Sequence, residues 1–292
     1  MKLCTFSHNQ KTDIGVIDPV AGRVWPIGHN LPGIGADMVA LIRRYDELKG
    51  RLKPSGSGLA LGEVKLLAPV QSLLRNILCV GKNYREHAKE FAASGADATG
   101  KVGSEIPEDP IIFTKASNTL RGPHDDVPLH AELTKQLDYE AELAVIIGKG
   151  GRRIKKSAAM SHVFGYTIAN DITARDLQLK HRQWFLGKSL DGACPMGTYI
   201  ATADELDGAS LDIKCWINDE LRQDANTRDL IFDIPTLIET ISLGMTLEPG
   251  DIISTGTPAG VGVGFKPPKF LKAGDVMRIE IQGLGTLVNT VR

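Results

Sequence analysis

Apolar and polar residues alternate over residues 2–6 and 13–18, the period-two signature of strands with one buried face, and residues 24–27 extend the pattern to a third strand. Residues 38–48 space their apolar positions for a short helix. The tract Pro54-Ser55-Gly56-Ser57-Gly58 is linker-like, and a short strand at 63–67 follows it. These features divide the chain into a small β-rich unit, 1–70, and a larger unit, 71–292. In the larger unit the pattern predicts strands at 76–80, 110–115, 137–147, 163–169 and 211–218, and helices at 83–91, 172–181 and 234–243. Gly187-Lys188-Ser189 reads as a loop and Cys194-Pro195-Met196-Gly197 as a turn. Residues 92–109 are polar and glycine-rich, a length of connection that usually serves as a lid or binding loop. Two Gly-Asp turns, at 250–251 and 274–275, each launch a strand, as in a rolled antiparallel structure. The class is mainly β with some α (α+β).

A chain of 292 residues with 42% hydrophobic and 24% charged residues buries a full core. Lys plus Arg (34) nearly equals Asp plus Glu (35), so no bulk field recruits nucleic acid or an acidic membrane surface. No apolar run approaches a membrane span, and MKLCTFSHNQ at the start has no apolar core of a signal peptide. The four cysteines are far apart and include no C-x-x-C pair, which points to reduced thiols and a cytoplasmic protein.

The stretch LDYEAELAVII (137–147) changes the picture. Alternation puts Asp138, Glu140 and Glu142 on one face of a strand and Tyr139, Ala141 and Leu143 on the other. Like charges that close repel, and a divalent cation removes the repulsion. Asp171, just past the next strand, is the third ligand of such a site. Three carboxylates with no histidine or cysteine nearby favour Mg²⁺ or Mn²⁺, with Ca²⁺ as a substitute, over Zn²⁺. An E-x-E pair alone is more often found on the solvated face of an edge strand. His87 and Glu90 are neighbours on one helical face, a pairing that an exposed helix also shows.

Other motifs fail. Gly187-Lys188-Ser189 lacks the glycine that a P-loop needs at position 182, which is Arg182. The glycine-rich run 255–264 is followed by Phe265-Lys266-Pro267-Pro268 and no helix, so it is no dinucleotide fingerprint. It suits a tight turn or a loop that offers backbone amides and the Thr255 and Thr257 hydroxyls to an anion. No serine sits in a G-x-S-x-G context.

The segments GKNYREHAKE (81–90), FTKAS (113–117), DYEAE (138–142), GYTIANDITARDLQ (165–178), GKSLD (187–191) and STGTPAGVG (254–262) occur in one order over about three quarters of the chain. Together they resemble the fumarylacetoacetate hydrolase superfamily, and the run QWFLGKSLDGACPMG (183–197) is similar to its branch of acylpyruvate hydrolases and oxaloacetate decarboxylases. The resemblance implies a mixed β-sandwich roll and a homodimer. It implies Glu140, Glu142 and Asp171 as Mg²⁺ or Mn²⁺ ligands, and His87 and Glu90 as a water-activating pair on a lid helix. Lys188 becomes the catalytic lysine, Arg175 and Gln178 substrate contacts, and Lys115 and Thr257 pocket-lining residues. The larger fumarylacetoacetases carry a further aspartate ligand upstream of the histidine. Here that region holds Asn83 and Tyr84, which points away from fumarylacetoacetate itself as substrate.

The implied activity is hydrolysis of the C–C bond of a 2,4-dioxo acid of the acylpyruvate or fumarylpyruvate type, through an enolate that a cation stabilises. Oxaloacetate decarboxylation, or isomerisation or decarboxylation of a 2-hydroxyhepta-2,4-diene-1,7-dioate, needs the same electron sink. The non-enzymatic alternative is a silent family member that binds a metabolite. An intact His87, Glu90 and Lys188 argue against it, because a mere binder needs no base. Trp184 and Phe185 read as core or dimer interface, and Cys194 as a buried turn residue.

Overall fold

The strand Ala141–Ile147 is buried at every position, and its side chains alternate between two apolar clusters. Leu143, Val145 and Ile147 pack with Ile213, Cys215 and Ile279, whereas Ala144 and Ile146 pack with Leu41, Phe164 and Ile252. Cover on both faces explains why this segment reads as nearly continuous apolar sequence. The computed structural model describes residues 1–95 and 106–292; most of the glycine-rich tract expected to form a lid lies outside them.

Ala141–Ile147 pairs antiparallel with Val163–Asn170 on one side and with Ile252–Ser254 on the other. Beyond Ile252–Ser254 come Ile77–Gly81 and Ile111–Lys115. Beyond Val163–Asn170 come Cys194–Thr202 and then the N-terminal strands Lys2–His8, Lys11–Asp18 and Arg23–Pro26. Lys2 pairs with Ala201 and Leu3 with Ile200, so the N-terminal strands extend the sheet that carries Ala141–Ile147. A second sheet, Glu220–Asn226, Asp212–Ile217, Val276–Ile281, Gly285–Val291 and Asp126–Val127, closes one apolar cluster, together with Leu237, Ile238 and Ile241 of the helix Ile234–Ser242. The helix Met38–Arg43 covers the opposite face through Met38, Val39, Leu41 and Ile42. The architecture is mainly β with peripheral helices, as the alternation pattern implied. No helix among the described residues is long and apolar enough to cross a membrane.

Several local expectations are corrected. The stretch 137–147 is not one ladder: Leu137–Asp138 pairs with Thr173–Ala174, and the main strand begins at Ala141. The helix expected from residue 172 begins at Arg175, because Thr173 and Ala174 are held in that two-stranded ladder; Ala174 is the cap residue and no side chain caps the helix. Asp171 is therefore off the helix that carries Arg175 and Gln178. The expected helix 38–48 is split into Met38–Arg43 and Tyr45–Leu48. Gly187 and Lys188 end a short helix, Phe185–Lys188, and the expected turn 194–197 is the start of the buried strand Cys194–Thr202.

At Gly165 the backbone of the neighbouring strand comes so close that a Cβ would lie 2.2 Å from the Ala201 carbonyl oxygen. Gly165→Ala should force the two strands apart and destabilise the fold by about 1–3 kcal/mol, the usual cost of overpacking. Gly62→Ala, whose Cβ would meet nothing within 4 Å, should change stability by less than about 0.5 kcal/mol. Thermal denaturation of the two variants checks this.

Candidate active site

Between the two ladders, side chains supply the hydrogen bonds that the strand pairing omits. The Glu140 amide donates to Asn170 Oδ1 (3.0 Å), the Ala141 amide donates to Gln223 Oε1 (3.0 Å), and the Glu140 carbonyl accepts from the Asp171 amide (2.9 Å). The alternation survives the break. Leu137, Tyr139 and Ala141 all lie in the same apolar cluster as Leu143, while Asp138 and Glu140 meet Arg175.

The result is a buried chain of opposite charges. Arg175 Nε is 2.8 Å from Asp138 Oδ2, and Arg175 Nη1 is 2.7 Å from Glu140 Oε1. Lys188 Nζ bridges Glu140 Oε2 and Asp171 Oδ2, each at 2.7 Å. Lys115 Nζ lies 2.8 Å from Asp171 Oδ1 and donates to the carbonyls of Ile172 (2.9 Å) and Lys188. Asp138 also accepts from the amides of Gly262 (2.7 Å) and Val263 (3.0 Å). Each group stands at the end of an element: Lys115 closes a strand, Arg175 opens a helix, Lys188 closes another, and Asp171 follows a strand. Five separate segments thus converge through their ion pairs.

Glu142 is the exception. Its Oε2 accepts from Ser254 Oγ (2.5 Å) and the Gly256 amide (3.0 Å), and no cation of the chain is paired with it among the described residues. Gly256 is left-handed (φ 104°), and a Cβ there would lie 2.8 Å from that of Asn83, so only glycine brings its amide to the carboxylate. Burial opposes the charge on both glutamates. At Glu140, Lys188, Arg175 and His87 outweigh it and hold the carboxyl below the usual range; at Glu142, Asp171 and Glu140 add to it and push the carboxyl up.

Lys115, Arg175 and Lys188 thus pair with Asp138, Glu140 and Asp171, and none of these three cations is paired with Glu142. Glu140, Glu142 and Asp171 each present an oxygen within 4.8 Å of the others, an all-oxygen donor set. That set fits a hard divalent cation, which would supply the charge Glu142 lacks.

The cluster faces a cavity lined by Glu140, Glu142, Arg175, Gln178, Lys188, His87 and Thr257 among the residues that the sequence singled out. His87 Nδ1 is 3.2 Å from Glu90 Oε2, and the other Glu90 oxygen accepts from the Gly260 amide (2.9 Å). Glu90 and Asp171 stand behind the lining. So does Lys115, expected at the pocket wall but fully buried on Asp171. Thr257 Oγ1 accepts from Gln223 Nε2 (2.7 Å), and Gln178 Oε1 accepts from Arg175 Nη1 (3.3 Å). Arg175 Nη2 is buried with no hydrogen-bond partner among the described residues.

Trp184, expected in the core or a dimer interface, is buried in an apolar cluster with Phe91, Val261 and Val263 and also lines this cavity, while Phe185 is exposed. Lys82, buried and lining the cavity, was not singled out, although it lies inside the GKNYREHAKE segment. Ser254 was likewise passed over; its short distance to Glu142 arises across 112 residues of chain and leaves no local signal. The four cysteines are buried and unpaired, with thiols that burial pushes up, so none is a nucleophile.

Asp138→Ala should leave Arg175 Nε and the Gly262 and Val263 amides without their acceptor. Breaking one side of a buried pair costs about 3–5 kcal/mol, which chemical denaturation should register.

The family model described as fumarylacetoacetate (FAA) hydrolase C-terminal matches residues 76–292. The chain is 54% identical over 233 residues to the oxaloacetate tautomerase YisK of Bacillus subtilis, covering 80% of this chain and 74% of that protein. A fumarylacetoacetate hydrolase structure from Exiguobacterium antarcticum superposes with a TM-score of 0.85 at 42% identity, covering 100% and 99% of the two chains. Maleylpyruvate hydrolase from Sphingobium sp. SYK-6, in complex with manganese(II) and pyruvate, superposes with a TM-score of 0.79 at 32% identity, covering 100% and 98%.

Proposed function

Because this chain belongs to the fumarylacetoacetate hydrolase family, we propose that it is a divalent-metal-dependent enzyme that moves a proton at C3 of a short 2-oxo acid, with keto–enol tautomerisation of oxaloacetate as its reaction. The observation that carries this reading is one cavity in which an oriented imidazole, His87 on Glu90, faces an all-carboxylate cluster. The 54% identity to an oxaloacetate tautomerase supports the choice of substrate.

Glu140, Glu142 and Asp171 would hold Mg²⁺ or Mn²⁺, which when bound supplies Lewis acidity to the carboxylate and 2-oxo oxygen of the acid. The manganese and pyruvate complex of the maleylpyruvate hydrolase supports this assignment. Arg175 offers its unpartnered Nη2 to the substrate carboxylate, with Gln178 beside it and Thr257 on the cavity wall. Glu90 accepts Nδ1–H of His87, which leaves Nε2 with a lone pair. That nitrogen takes the proton from C3, the C3–H electrons form the C2–C3 double bond, and negative charge develops on the 2-oxo oxygen. The Lys188 ammonium stabilises that oxygen, and His87 returns the proton to oxygen or carbon. Lys115 fixes Asp171 and the Lys188 backbone beneath the site.

A second reading keeps the same residues for hydrolysis of an acylpyruvate. His87 would then deprotonate a water that attacks C4, and the likeness to a maleylpyruvate hydrolase favours it.

The test follows loss of enol-oxaloacetate absorbance and release of pyruvate, with Mg²⁺ or Mn²⁺ and a metal-only control, on oxaloacetate, acetylpyruvate and fumarylpyruvate. Enol loss without pyruvate release is expected from oxaloacetate, and excess EDTA should abolish the enzymatic part. Pyruvate released from an acylpyruvate would move the assignment to the hydrolase, and silence on all three would refute both. His87→Ala should slow turnover about a hundredfold or more while metal and oxalate binding remain, since removal of a positioned base has that effect. An unchanged rate would rule out His87 as the base.

A further inference from the structure

The charges of the chain balance overall but not everywhere. From Leu143 to Asn170 there are five lysines and arginines and no aspartate or glutamate. The five, Lys149, Arg152, Arg153, Lys155 and Lys156, fall in the connection between the strands Ala141–Ile147 and Val163–Asn170, and all are exposed. Lys156 pairs with Asp233 (3.0 Å), whereas the other four have no ion pair among the described residues. The backbone beneath them is fixed. Gly151 and Leu247 exchange two amide-to-carbonyl hydrogen bonds (2.9 and 2.8 Å), the Arg153 amide donates to the Ser242 carbonyl (2.7 Å), and the Ile154 amide donates to Ser242 Oγ (2.9 Å). Ile154 is buried in the core, and Arg153 between these bonds takes a left-handed backbone (φ 54°), which persists where its surroundings hold it.

The segment that clamps this loop carries exposed apolar side chains. Leu243 and Met245, just after the helix Ile234–Ser242, are 60% and 40% exposed. Met160, in the 3₁₀ helix Lys156–His162 that packs on the same helix, is 38% exposed. Clustered cations and apolar side chains on one patch match a surface that is anionic outside and apolar beneath. A nucleic acid would answer the cations alone, and residues 148–162 and 242–247 contain no Phe, Tyr or Trp on which a base could stack. We propose that the loop 149–156, with Met160, Leu243 and Met245, is a docking surface for an anionic phospholipid bilayer. The cations meet headgroup phosphates while the apolar side chains enter the interface. Except for Ile42-facing contacts of no consequence here, none of these residues takes part in the cavity that holds His87 and the carboxylates.

The experiment is co-sedimentation of the full chain with vesicles of phosphatidylcholine alone or with about one third phosphatidylglycerol. The parent should partition onto the anionic vesicles only, and added salt should release it. Arg152→Gln/Arg153→Gln/Lys155→Gln should weaken partitioning about fivefold per cation removed, roughly a hundredfold in all. Lys11→Gln/Lys53→Gln/Lys272→Gln, the same loss of charge at exposed positions elsewhere, should change it less than about twofold. Leu243→Ser/Met245→Ser should weaken it with the charges intact. All substituted side chains are exposed, so unchanged thermal denaturation should accompany each loss. A parent that ignores anionic vesicles, or binds both kinds equally, would overturn the proposal, as would equal losses in the two charge variants. Partitioning indifferent to Leu243→Ser/Met245→Ser, with tighter binding of the parent to a single-stranded oligonucleotide, would also overturn it and assign the patch to a soluble polyanion.

Discussion

The structure depends on the mutual neutralisation of charges that the fold has taken out of water. An isolated ion in such a place is prohibitive, and a pair is tolerable only when its geometry is nearly ideal. Asp138, Arg175, Glu140, Lys188, Asp171 and Lys115 meet that condition as one continuous series with contacts of 2.7–2.8 Å. The series ties a strand end, two helix ends and the break in 137–147 to one another, so the positions of these six charged groups follow from the same constraint. It also explains the break. A regular ladder through Tyr139 and Glu140 would need partners that Asn170 and Gln223 instead supply from their side chains.

Neutralisation stops one carboxylate short. Glu142 is held by a hydroxyl and an amide, neutral donors that stabilise a charge less than a cation does. The imbalance is local, which makes the position where a divalent cation would compensate it equally local. Across the cavity, Glu90 is fastened to the Gly260 amide and in turn orients His87, so both walls of the site lean on the loop 255–264.

Much of this was legible in the sequence, and for identifiable reasons. The alternation in 137–147 correctly separates Asp138, Glu140 and Glu142 from Tyr139, Ala141 and Leu143, because the side-chain period of an extended chain holds even across the interrupted pairing. The strands around it were readable from their apolar runs. The helix start at Arg175 was not, since the pairing of Thr173–Ala174 with Leu137–Asp138 is a tertiary choice that no local preference signals. Cys194-Pro195-Met196-Gly197 looks like a turn by composition, yet parallel pairing with Leu120–Arg121 and packing against Val163–Asn170 make it a strand. Among the site residues, His87 and Glu90 share a helix face and could be paired by spacing. Lys115, implied at the pocket by the resemblance alone, and Ser254 reach the carboxylates from far along the chain, so their pairings with Asp171 and Glu142 were open only to three-dimensional structure.

The hydrogen bonds from Ser254 and Gly256 to Glu142 have a consequence for biosynthesis. The acidic residues and their lysine and arginine partners lie between positions 115 and 188, whereas the groups that hold Glu142, Asp138 and Glu90 come from residues 254–263. The strand Ile252–Ser254 also separates Ala141–Ile147 from Ile77–Gly81 in the sheet. A nascent chain that has emerged only through the earlier residues thus has an open gap in its central sheet and half-satisfied carboxylates beside it. The central sheet and the site beside it are therefore complete only once Ile252–Ser254 has taken its place between Ala141–Ile147 and Ile77–Gly81.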